Sequence, residues 1–193
     1  VGFGVQTPAS RVALDGIPLT VSAWSDVSIT VSIPNTMPFG SRQLTITASN
    51  GRSTVNGLKY HVTGTGYNPL VYEVGPGKTY ATIQAAVNAA AAATSSSPRL
   101  VVVYPSSTGI YLENVVVNAK MNLQGVGPGG SYANATKVLG SVIDGRGVSG
   151  DDPYAAAWRG FTAGLTWSGT QSLTQGRLVY VVAPHGTSHN AHP

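Results

Sequence analysis

A chain of 193 residues with 42 % hydrophobic content has enough apolar surface for one large core or two small ones, which argues against disorder. Charged residues make up only 9 %, against roughly 25 % in ordinary globular proteins, and the net charge of +4 arises from 11 scattered Lys and Arg facing 7 acids; that is no basic stripe, and nucleic acid is excluded as a partner. The lack of cysteine rules out disulfides, thiolate metal sites and thiol nucleophiles, and the longest apolar run, around Ala85 to Ala93, is too short and too alanine-rich to span a membrane.

The 24 glycines and 12 prolines, with abundant Thr, Ser, Val and Asn, favour short strands joined by turns. Arg11–Leu14 and Ile17–Val21 flank Asp15-Gly16, a two-residue hairpin signal because a type I′ turn needs positive φ at both central positions. Val27, Ile29, Val31 and Ile33 alternate with Ser28, Thr30 and Ser32, so one face is expected to be buried and the other wet. Leu44, Ile46 and Ala48 alternate with Thr45 and Thr47 in the same way, and Asn50-Gly51 then turns the chain towards Val55–Val62. Strands this short and evenly spaced predict a β-sandwich over residues 1–62.

Gly2-Phe3-Gly4, the hairpin Val12–Leu19, the run Trp24–Val31 leading to Pro34, and Gly40 followed by Leu44–Thr47 resemble an IPT/TIG domain, an immunoglobulin-like module of bacterial surface proteins and extracellular enzymes. The resemblance covers about a third of the chain. Such domains carry a strand or two before the Gly-Phe-Gly stretch, so it implies a longer parent or a strand supplied by a neighbour. Either way an unpaired sheet edge and self-association are expected.

Residues 63–70, Thr63 to Pro69 above all, are polar, Gly-rich and Pro-containing, and read as a linker. A strand at Val71–Val74 and a turn at Gly75-Pro76-Gly77 precede the one convincing helix, about Tyr80–Ala93, with Ile83, Val87, Ala90 and Ala91 on one face and Thr79 or Thr82 as its cap. Short apolar runs follow at Leu100–Tyr104, Tyr111–Val117, Met121–Leu123 and Val138–Ile143, each ended by Gly, Asn or Pro, with a further strand at Arg177–Val182. That rhythm suits a solenoid of stacked parallel strands.

Tyr80–Val87, Val101–Pro105, Tyr111–Val117, Leu123–Gly127 and Val142–Gly145 stand in an order that resembles the amino-terminal cap and first coils of pectin methylesterases and other pectate-lyase-like β-helices, over roughly residues 71–147. The resemblance implies an all-β chain. An immunoglobulin-like β-sandwich is followed over residues 71–183 by the start of a right-handed parallel β-helix, whose open end the single α-helix caps. Gly125, Gly127 and Gly145 are expected at corners of positive φ. Residues 184–193 read as a flexible, His-containing tail. The family's catalytic carboxylates and arginine lie on later coils, so none is carried over.

The chemistry-bearing residues leave alternatives open. Hydrolysis of a polysaccharide needs two carboxylates across the scissile bond; Asp144 with Asp151 or Asp152 would provide them, with Arg146 orienting a uronate, although Asp144-Gly145 and Asp151-Asp152-Pro153 are also ordinary turn residues. Tyr104, Tyr111, Trp158 and Trp167 suit a sugar-stacking groove or equally a core. His185, His189 and His192 are spaced to surround a metal ion, but no carboxylate stands near to fix their tautomers, and an appended tail explains them as well. Gly-x-Ser-x-Gly does not occur, and the Gly-rich loop Gly125–Gly130 lacks the Lys-Ser/Thr of a phosphate loop. No cofactor is called for. The expected function is an extracellular or cell-surface, carbohydrate-associated binding or scaffold module with a polysaccharide partner. The alternatives are a hydrolase of esters or polysaccharides and a metal-binding protein acting through the histidine tail.

Overall fold

The computed structural model describes residues 2–54, 57–126, 140–145 and 179–181, whose regular structure is β apart from one helix. The chain divides into two compact units, Val1–Asn68 and Pro69–Pro193. No helix among the described residues is long and apolar enough to cross a membrane.

In the first unit, β1 (Arg11–Leu14), β2 (Ile17–Pro18), β5 (Gly40–Thr47) and β6 (Lys59–Val62) form an antiparallel sheet in the order β2-β1-β5-β6, and β3 (Thr20–Trp24) pairs with β4 (Ile29–Ser32). The Asp15-Gly16 turn has φ of 47° and 80°, as the hairpin signal requires, with Leu14 opposite Ile17. The Asp15 carboxylate also accepts from Gln43 N (2.7 Å) and Arg42 Nη1 (3.1 Å), which together hold its pKa below the ordinary aspartate value. Ile17–Val21 is not the single strand its composition suggests. The chain leaves one ladder after Pro18, buries Leu19, and enters the other at Thr20. Two further expectations are corrected. Val27 is 85 % exposed because residues 25–28 form a tight turn closed by Ser25 and Ser28, while Ile29, Val31 and Ile33 do pack on the core. Thr47 is buried rather than wet, and its hydroxyl pairs with Ser53 Oγ at 2.7 Å.

Val12, Leu14, Leu19 and Met37 centre this core, joined by side chains from β3, β4, β5 and β6. Gly2-Phe3-Gly4 docks beside it: Phe3 N donates to Asp26 O (2.8 Å), Gly4 N to Asp26 Oδ1 (2.7 Å), and Trp24 Nε1 to Gly4 O (2.9 Å). A methyl group on Gly2 would overlap the Asp26 carboxylate, which would have to swing away from Gly4 N to make room. Part of the segment read as a linker is folded. Gly64 and Tyr67 exchange backbone hydrogen bonds of 3.0 Å each, and the Tyr67 hydroxyl meets His61 Nδ1 at 2.7 Å.

Among the described residues of the second unit, every strand pair is parallel. β7 (Leu70–Val74), β8 (Arg99–Val103) and β11 (Asn122–Gly125) form one ladder, β9 (Tyr111–Leu112) pairs with β12 (Ile143–Asp144), and β10 (Val115–Val117) pairs with β13 (Val179–Val181). Thus β8, β9 and β10, in chain order, pair with β11, β12 and β13, in chain order. The run Tyr111–Val117 divides at Glu113-Asn114 because its two halves belong to different ladders. Gly125, expected at a corner, lies within β11 opposite Val103.

The helix α1 spans Ile83–Ala92, starting later than its apolar pattern suggests because Tyr80 still bridges to Val74. Thr82 caps it by accepting from Ala85 N. Ile83, Ala86, Val87 and Ala90 are fully buried against β7, β8 and β10, where Val74, Val101, Val103, Val115 and Val117 complete one core. Each such valine or isoleucine contributes about 1.5–3 kcal/mol by leaving water.

Candidate functional site

Three residues singled out from the sequence fall within the described chain. Asp144 ends β12 opposite Leu112; Ile143 beside it packs on the core, so strand alternation turns Asp144 outward. Tyr111 is 6 % exposed, and its hydroxyl donates to Tyr104 O at 2.8 Å, so its ring is core rather than a sugar platform. Burial also raises its pKa. Tyr104 is half-buried, with Lys78 Nζ 4.1 Å from its ring centroid, which occupies one ring face. Asp151, Asp152, Arg146, Trp158, Trp167, His185, His189 and His192 lie outside the described residues.

Tyr104 belongs instead to a polar cluster that local spacing does not reveal. Glu73 stands on β7, Tyr104 directly follows β8, and the parallel register brings them together. Lys78 is carried in by the turn after Val74, closed by Lys78 N to Gly75 O (3.0 Å) and Gly75 N to Tyr80 O (2.9 Å). Gly75, with φ of 150°, leaves its hydrogen where a Cβ would press on Tyr104 at 3.0 Å. Glu73 Oε1 accepts from Tyr104 Oη at 2.7 Å and from Lys78 Nζ at 3.0 Å.

These contacts fix the charge states. The Tyr104 hydroxyl, and after it Lys78, hold the Glu73 carboxyl below its ordinary value, while Glu73 raises both Lys78 and Tyr104. Every shift deepens the state each group already has at neutral pH, which makes the cluster a fastening between β7 and β8 rather than a general acid or base. Since the folded pKa of Glu73 is lowered, its stabilisation is complete above the ordinary glutamate value and is lost as pH falls through the lowered one. Tyr104→Phe removes the largest cause, so the Glu73 titration followed by carboxyl NMR should move upward. An unmoved titration would show that the hydroxyl does not act on the carboxylate.

A second carboxylate is engaged in structure. Glu113, between β9 and β10, accepts from Ile83 N through Oε1 and from Gln84 N through Oε2, both at 2.9 Å, at the positive end of α1. Gln84 then closes the edge of β10: its Oε1 accepts from Val116 N at 2.8 Å and its Nε2 donates to Val116 O at 3.1 Å. Like Glu73 and Glu113, Asp15 and Asp26 hold the chain's own amides or cations. Neither Glu113 nor Gln84 was singled out as functional from the sequence, since their partners lie about thirty positions away.

The remaining feature is a cleft of about 320 Å³ where the chain leaves α1, enters β8 and later enters β11, lined in part by Ser95, Ser96, Ser97, Arg99, Lys120 and Asn122. None of its described lining residues is acidic. Among the described residues no group of three or more His, Asp or Glu is arranged to hold a metal ion. No family model matches this chain, and no curated protein or solved structure matches it.

Proposed function

We propose that the second unit is the beginning of a right-handed parallel β-helix closed at one end by α1, that the first unit is an immunoglobulin-like module of the IPT/TIG kind, and that together they act as an extracellular carbohydrate-associated binding or scaffold module. The observation that supports this reading is the ordered parallel pairing of β8, β9 and β10 with β11, β12 and β13, with α1 against the strands of the first layer. A chain that winds repeatedly through the same ladders pairs in this way, and parallel crossovers are right-handed in nearly all proteins. Binding is favoured over catalysis because Asp15, Asp26, Glu73 and Glu113 already have structural partners, whereas glycoside cleavage needs two carboxylates poised across one bond.

Titration calorimetry and affinity electrophoresis of the whole chain against pectins, xylans and glucans test the proposal. Saturable binding to at least one of them is the expected result. Lack of retardation and of heat with all three would reject it.

A further inference from the structure

The ladder between β11 and β8 begins at Asn122↔Leu100, and the residues just before each strand, Lys120 and Met121 on one side and Pro98 and Arg99 on the other, line the same cleft. Two cations 21 positions apart in sequence thereby line one cleft, together with the hydroxyls of Ser95, Ser96 and Ser97. Ser95 Oγ accepts from Ser97 N at 3.1 Å, which leaves its own proton for another acceptor.

Arg99 Nη2 donates to Ala93 O at 2.6 Å, at the end of a helix that has no basic residue in its last turn. This accounts for one of five guanidinium N–H groups. Arg99 Nε is enclosed with no acceptor among the described residues, and an enclosed donor of a permanent cation is costly to leave unpaired. Lys120 is exposed, and neither ion pair found among the described residues includes it.

We propose that this cleft binds a tetrahedral oxyanion, a phosphate or sulfate, either free or carried as an ester on a sugar-sized body, with Arg99 and Lys120 supplying the charge. A guanidinium, an ammonium and hydroxyls arriving from two chain segments suit an anion with oxygens in several directions; a planar carboxylate would be satisfied by the arginine fork alone. The volume of about 320 Å³ is near the lower end of ligand pockets, larger than a bare anion fills, and so admits an ester. The inference does not require the carbohydrate reading, since it rests on the residues that line the cleft.

The test is ¹⁵N NMR and calorimetry of the whole chain at low salt with three probes: inorganic phosphate, glucose 6-phosphate and glucose. Either phosphate probe should shift the amides of residues 95–97, 99 and 120–122, glucose should not, and Lys120→Gln should weaken binding about ten-fold. Lys120 is exposed, so this variant keeps the fold, which its own spectrum verifies. Equal affinity for both phosphate probes assigns a free-anion site, and tighter binding of the sugar phosphate assigns an ester site. The proposal is overturned if neither anion shifts these amides, if glucose shifts them equally, or if Lys120→Gln binds like the parent chain.

Discussion

Glu113→Ala is expected to lower the stability of the second unit by about 2–3 kcal/mol, well above the roughly 0.5 kcal/mol typical of a surface substitution. The carboxylate satisfies two amides at the start of α1, those of Ile83 and Gln84, and Thr82 satisfies the next, that of Ala85. A helix otherwise leaves its first four N–H groups unpaired, and these lie where it begins to enter the core, since Ile83 is fully buried. The negative charge also faces the positive end of the helix dipole. Glu113→Gln keeps one acceptor oxygen and should lose about half as much. Urea denaturation monitored by far-ultraviolet dichroism reads both effects, and an unchanged midpoint in the alanine variant would show that the helix start is held by something else.

The largest effect is expected from Val87→Asp. Val87 has no exposed surface and sits on the helix face that covers Val74, Val101, Val103 and Val115. A carboxylate there has no cation in the cluster to pair with, so it must either ionise in an apolar setting or fold protonated; both routes cost more than about 4 kcal/mol, comparable with the whole stability of a small domain. The dispersed amide signals of residues 70–125 should collapse. Those of residues 11–47 should persist, because the first unit has a separate core built on Val12, Leu14, Leu19 and Met37. Retention of native signals in the second unit would mean that α1 does not close its core.

Both effects arise at the junction of α1 with β7, β8 and β10, where Glu113 and Gln84 work as a pair. One residue reaches from the strands to the helix amides, and the next helix residue reaches back to the backbone of Val116. The helix end and the strand edge therefore satisfy each other, which neither would achieve in isolation. The Glu73–Lys78–Tyr104 cluster joins β7 to β8 in a comparable way, through side chains rather than through the backbone ladder alone.

Features governed by a few neighbouring residues were legible in the amino-acid sequence alone. The Asp15-Gly16 turn, the alternation of Ile29, Val31 and Ile33, the Asn50-Gly51 turn and the apolar face of α1 follow from allowed backbone angles and from periods of 2 and 3.6 residues, which act over short stretches of chain. Tertiary structure alone decided that Ile17–Val21 changes ladders at Leu19, that Thr47 is covered, that Tyr111 is core, and that Tyr111–Val117 divides between two ladders. It also decided that Glu113 meets the helix and that Arg99 and Lys120 share a cleft. Each of these depends on which distant strand lies alongside, and register is set by the packing of whole apolar faces rather than by any spacing within one segment.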